Sequence, residues 1–308
     1  FGQLAADEAF AFFIYYSIFP LHSSVLPYGV SCFAKNILSF FLFFPIFSVF
    51  LHNHIGCTLQ FAKTKLMQTR CHLSVIAHKL AAKYGERAAF TYKDFGSSVW
   101  KKISYNRFSQ LVKQASNALL NLGAKPHDKI AVFSQNCLQY LVTDFGAYGV
   151  RAVTVPFYAT NSEQQILYVL NDAKVRFLFV GEQDQYDKAL RIFHLCPTLE
   201  RIIVYDDSVN IDTHDSNALY FSDFIKLGKG LPRQSELETR WKEANYTDLC
   251  NILYTSGTTG ERKDVMLTYG EYHAALNANF EFVDVSENDR ASDFLPFPHN
   301  FAKRWTSH

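Results

Sequence analysis

The feature that most restricts this chain is a regular exchange of short apolar runs and amphipathic stretches between residues 128 and 207. "DKIAVFS" reads as a buried strand, "CLQYLVTDFGAYGV" as a helix and "AVTVPFY" as a second strand. The helix "EQQILYVLND" follows, introduced by Ser162 and Gln165 at the spacing of a capping box. "VRFLFVG", "QYDKALRIFHL" and "RIIVYDD" continue the exchange. Short apolar strands separated by amphipathic helices imply a sheet covered on both faces, and helical crossovers make neighbouring strands parallel. The expected fold class is therefore α/β, with mostly parallel sheet covered by helices.

The flanks extend this pattern. "HLSVIAHKLAAKYG" aligns Leu73, Ile76, Ala77, Leu80, Ala81 and Tyr84 on one helical face, with Gly85 placed as a C-terminal cap. "RAAFTYK" and "VWKKISY" read as strands around the turn "DFGSS". A helix from about Asn106 carries Phe108, Leu111, Val112, Ala115, Leu119 and Leu122 up to Gly123. Residues 206–245 are polar and read as irregular, with one short helix at "FSDFIKLG"; Asp144 and Asp184 read as surface charges. "LCNILY" and "DVMLTY" read as strands.

The chain has 308 residues and a formal net charge of +1, so no long-range field favours nucleic acid as a partner. Six cysteines are scattered without a C-x-x-C pair, which fits buried thiols rather than zinc or redox chemistry. "HNH" at His52–His54 and "DTHD" at Asp212–Asp215 lack the further ligands of a closed metal site.

Residues 1–66 differ from the rest. They hold 13 of the 29 phenylalanines and few charges, and the first methionine is Met67. This hydrophobic extension has three readings: a weak membrane anchor, a sticky extension, or sequence outside the physiological frame. The candidate membrane segment, residues 37–51, is shorter than the roughly 20 residues that a bilayer core requires.

Between the last two strands lies "YTSGTTGERKDVMLT". Gly257 and Gly260 let backbone amides approach a ligand, and Thr255, Ser256, Thr258 and Thr259 add hydroxyl donors. Lys263 adds a compact positive charge. Donors in that concentration favour an oxyanion such as a phosphate chain. The spacing is not that of a Walker loop, and a strand-like run follows where that loop opens a helix. A small-residue hairpin without chemistry is the alternative.

The string resembles the phosphate-binding loop of the adenylate-forming enzymes, Tyr-Thr-Ser-Gly-Thr-Thr-Gly-x-Pro-Lys-Gly-Val-Met-Leu-Thr. "KIAVFSQN", "AVTVPFYATNSEQQILYVLNDAKVRFLFVGEQDQYDKAL" and "FLPFPHNF" look like the bacterial long-chain fatty-acid CoA ligases. The resemblance implies the large N-terminal domain of that fold, with residues 67–308 as a partial AMP-binding domain. It implies ATP, Mg2+ and CoA, and a fatty acid that is joined to CoA through an acyl-adenylate. It assigns Thr255, Ser256, Gly257, Thr258, Thr259, Gly260 and Lys263 to the ATP phosphates, and His299 to the acyl and adenylate vicinity. No catalytic residue is assigned, because the family's catalytic lysine lies in a later domain.

Departures accompany the match. Asp264 stands where the family has glycine, and Glu261 adds a second carboxylate to a site for a polyanion. Asp264 is also expected to be strained if that glycine has positive φ. Ala302 and Lys303 replace a Glu-Arg pair. The adenine- and ribose-binding segments of the family lie beyond His308, so the chain as given is expected to be inactive or nearly so. The alternative is a noncatalytic, membrane-attached or protein-binding remnant. The expected location is the cytoplasm, associated with the inner face of the membrane.

Overall fold

A computed structural model describes residues 71–255, 263–282, 289–290 and 296–297. The extension 1–66, including the segment 37–51, lies outside them. Among the described residues no helix is long and apolar enough to cross a membrane.

Helix α1 (Leu73–Tyr84) starts where the His72 ring accepts the Ser74 N–H. It stops at Gly85, whose φ of 53° lets its own N–H reach the Ala81 carbonyl at 2.8 Å. β1 (Ala88–Tyr92) and β2 (Lys101–Ser104) pair antiparallel as a small ribbon. Ser104 caps α2 (Tyr105–Asn121) by accepting the Arg107 N–H.

The main body then alternates β3 (Lys129–Phe133), α3 (Leu138–Gly149), β4 (Val153–Phe157), α4 (Glu163–Asp172), β5 (Val175–Val180), α5 (Gln183–Ile192) and β6 (Arg201–Val204). The expected capping box opens α4, with both the Ser162 and the Gln165 side chains engaged. The run predicted as one helix to Leu195 starts two residues earlier than its reading and tightens into a 3-10 turn at Phe193–Leu195.

Residues 206–245 are more ordered than their polarity suggests. They contain β7 (Ala218–Tyr220), α6 (Phe221–Gly230) and α7 (Gln234–Glu243). Only Leu237 of α7 is buried, so its apolar signal is a single residue. β8 (Leu249–Thr255), β9 (Lys263–Thr268) and α8 (Tyr269–Phe282) complete the described elements.

The seven strands of the main sheet lie in the order β7-β6-β5-β3-β4-β8-β9. All neighbours are parallel except the β8–β9 pair at the edge. Period-two alternation sorts the side chains onto two faces. Ile130 and Val132 of β3 join a core with Leu119 of α2 and Phe145 of α3. Ala131 and Phe133 join a second core with Ile166 of α4 and Ala189 of α5. Each fully buried aliphatic or aromatic side chain contributes about 1.5–3 kcal/mol, so the three-layer arrangement follows from the apolar strands.

Helix packing explains one glycine. A Cβ on Gly228 of α6 would lie 1.8 Å from the Gln114 carbonyl of α2. Packing also overturns one surface assignment. Asp184 is exposed and paired with Lys188, but Asp144 is only 3% exposed. α3 is buried on nearly every side, from Tyr140 through Gly149, leaving no solvent face for its aspartate. The described cysteines are free thiols, and Cys71, Cys196 and Cys250 are buried as expected.

Candidate functional site

β8 runs parallel to β4, so its carboxyl end shares an edge of the sheet with the ends of β3, β4 and β5. In open α/β sheets that edge is where ligands bind. The chain leaves it at Thr255 and returns as β9, with Lys263 in register opposite Thr255. Register thus brings the two ends of the predicted phosphate loop together. Ser256, Gly257, Thr258, Thr259 and Gly260 lie between them, outside the described residues, as does His299. Phe297, two residues before His299, donates its N–H to Asn136 Oδ1 at 2.8 Å. Its ring stands 5.1 Å from that of Tyr140, which holds Phe297 just beyond the end of β3.

The strand carrying the loop is fixed from below by polar groups that periodicity does not single out. Asn251, fully buried in β8, accepts a hydrogen bond from the Thr154 hydroxyl of β4. Tyr148 of α3 lies 3.4 Å from the same amide. A buried side-chain amide with partners on two neighbouring elements resists sliding of β8, because a register slip would leave it unsatisfied.

Tyr254 ties the root of the hairpin to α4. Its hydroxyl donates to Asp172 Oδ2 at 2.5 Å, and its ring meets Tyr168 edge-on at 6.4 Å. Burial is the first cause that pushes this phenol above the ordinary tyrosine range; the Asp172 hydrogen bond and the charges of Asp172 and Asp264 add to it. The hydroxyl therefore stays protonated and remains a donor. Nothing in the spacing of "LND" marks Asp172; only the packing of α4 against the sheet brings it to Tyr254, 82 residues away. Past the loop, Thr268 and Glu271 form a reciprocal cap, with Thr268 N–H to Glu271 Oε2 at 2.6 Å and Glu271 N–H to Thr268 Oγ1 at 3.2 Å. β9 thus passes directly into α8.

Asp264 does not carry the predicted strain. It is a regular member of β9, opposite Tyr254, and among the described residues the non-glycine ones with positive φ are His127, Arg151 and Lys174. Its side chain is exposed. What the aspartate changes at this site is charge, not backbone conformation.

Paired strands, a buried amide pinning β8, and a seven-residue connection that leaves and rejoins the sheet at its carboxyl edge define an α/β domain. The chain belongs to the AMP-binding enzyme family, whose model matches residues 77–306. Among similar proteins, fatty acyl-CoA synthetase B of Dictyostelium discoideum is 30% identical over 236 residues, covering 72% of this chain and 33% of that protein. A long-chain-fatty-acid–CoA ligase of Xenopus laevis is 29% identical over 187 residues, covering 61% of this chain and 25% of that protein. The chain therefore spans a quarter to a third of the length of these relatives.

Solved structures agree on the fold. A long-chain-fatty-acid-CoA ligase from Archaeoglobus fulgidus superposes with a TM-score of 0.61 at 20% identity, over 81% of this chain and 46% of that one. The N-terminal domain of FACL13 from Mycobacterium tuberculosis gives 0.59 at 18% identity, over 77% and 54%. The mostly parallel sheet flanked by helices is that of the N-terminal domain of adenylate-forming enzymes, as the loop resemblance implied.

Proposed function

We propose that this chain carries the triphosphate-gripping part of a long-chain fatty-acid–CoA ligase, which joins a fatty acid to CoA at the expense of ATP through an acyl-adenylate. The observation that carries this reading is the placement of the loop: its ends close as a β8–β9 pair at the ligand edge of an AMP-binding fold. Relatives named as fatty acyl-CoA synthetases support the substrate class.

In this reading the amides of Gly257 and Gly260, the hydroxyls of Thr255, Ser256, Thr258 and Thr259, and the Lys263 ammonium bind the β- and γ-phosphates. Donors fixed in advance around a polyanion stabilise charge as the carboxylate attacks the α-phosphorus. His299 is assigned to the region of the acyl group and adenylate. Mg2+ would add charge neutralisation.

The test is exchange of labelled pyrophosphate into ATP by the complete protein with palmitate, with acetate and without acid. Palmitate-dependent exchange supports the reading. Binding of ATP without exchange for any carboxylate overturns the reaction, and exchange with acetate alone overturns the substrate class.

A further inference from the structure

The β1–β2 ribbon has two unlike faces. Phe90 and Ile103 are paired and turn inward, where Ile103 is buried and Phe90 meets Phe108 edge-on at 4.9 Å. At the other end of the ribbon Val99 is 62% exposed and Trp100 is 66% exposed. Neither residue adds to the core, so folding gives no reason for an indole there. Basic side chains lie beside it in space and in sequence. Lys93 Nζ lies 4.8 Å from the centre of the Trp100 ring, and Lys101 and Lys102 follow directly, both exposed. Lys101 is paired with Asp94, whereas Lys93 and Lys102 make no ion pair among the described residues. Residues 83–102 hold five basic and two acidic side chains, against a net charge of +1 for the whole chain.

The size and chemistry of this tip select its occupant. Two apolar side chains fall well short of the roughly 800 Å² per partner that a stable protein interface buries. An exposed tryptophan and valine flanked by Lys93 and Lys102 instead match the bilayer interface, where indoles sit at headgroup level and lysine stems bury while their ammonium groups meet anionic lipid. We propose that the β1–β2 ribbon is a membrane-surface element: Val99 and Trp100 enter the headgroup region of an anionic bilayer, and Lys93 and Lys102 contact its charges. The proposal is independent of the ligase reading, since no nucleotide or acyl substrate takes part.

The full chain is mixed with phosphatidylcholine vesicles made with and without phosphatidylserine, and binding is measured by sedimentation. The chain should favour the phosphatidylserine vesicles, and Lys93→Gln and Lys102→Gln should each weaken binding about fivefold. Vesicles with brominated chains should quench wild-type emission, and Trp100→Phe should remove that quenched component from the three tryptophans. The substituted residues are exposed, so unchanged far-ultraviolet circular dichroism will show that the variants fold. Equal binding by wild type and all variants would overturn the proposal by placing the contact elsewhere, including residues 1–66. Failure to sediment at any composition would also overturn it. A change in self-association without a change in vesicle binding would overturn it in favour of a protein contact.

Discussion

Replacing Asp264 by asparagine should tighten the binding of MgATP. The substitution removes a charge and leaves the backbone alone, because residue 264 sits in regular strand opposite Tyr254. Two unit charges about 5 Å apart repel by roughly 3 kcal/mol at an effective dielectric near 20, and by about 0.8 kcal/mol at that of water. Asp264 is exposed, so the lower figure applies, and the expected gain is about fourfold in affinity. Titration calorimetry at low ionic strength reads it directly. In about 1 M salt the Debye length falls to roughly 3 Å and the gain should vanish. Asp264→Gly separates charge from conformation. It removes the same carboxylate but weakens a strand by about 0.5–1 kcal/mol, so it should bind like the asparagine variant and unfold earlier. Unchanged affinity in Asp264→Asn at low salt would refute the electrostatic argument. Tightening by glycine alone would show that the backbone, not the charge, is what the aspartate disturbs.

Gly228→Ala should cost at least about 1–3 kcal/mol in urea unfolding, since its new Cβ would collide with the Gln114 carbonyl and must separate two helices. Tyr254→Phe should cost about 1 kcal/mol by losing the hydrogen bond to Asp172, and Asp172→Asn, which keeps an acceptor, should cost less. His78 has a folded pKa lowered to about 4, first by burial and then by Lys113. A base depressed in the folded state stays neutral there while the unfolded chain protonates. Its contribution is whole above about 6.5, is lost as pH falls toward 4, and amounts to about 3 kcal/mol at most. His78→Gln should flatten stability between those pH values, and an unchanged slope would contradict the assignment.

The alternation of apolar strands and amphipathic helices was legible because β3 to β6 are buried on both faces, and each carries only one polar residue, Lys129, Thr154, Arg176 and Arg201, too few to blur the run. The α4 start was legible because a capping box is local chemistry. α7 was not, since one buried leucine gives no periodicity. Asp144 was misjudged because periodicity reports a buried face only when another face is wet, and α3 has almost none. At the site, the loop was recognised by resemblance, but its supports were not. Asn251 and Thr154 become partners only through the β4–β8 pairing, and Asp172 meets Tyr254 only once α4 lies against the sheet. Contacts between distant segments leave no trace in the local spacing of either one.

The central claim is that the connection between Thr255 and Lys263 grips a nucleoside triphosphate. Calorimetry of ATP binding with and without Mg2+, for the wild type and Lys263→Ala, addresses it directly. The account predicts magnesium-dependent binding that the alanine variant weakens about 10- to 100-fold, the loss of a charge-assisted contact. Absence of magnesium-dependent binding in the wild type, or equal affinity in both proteins, would contradict it.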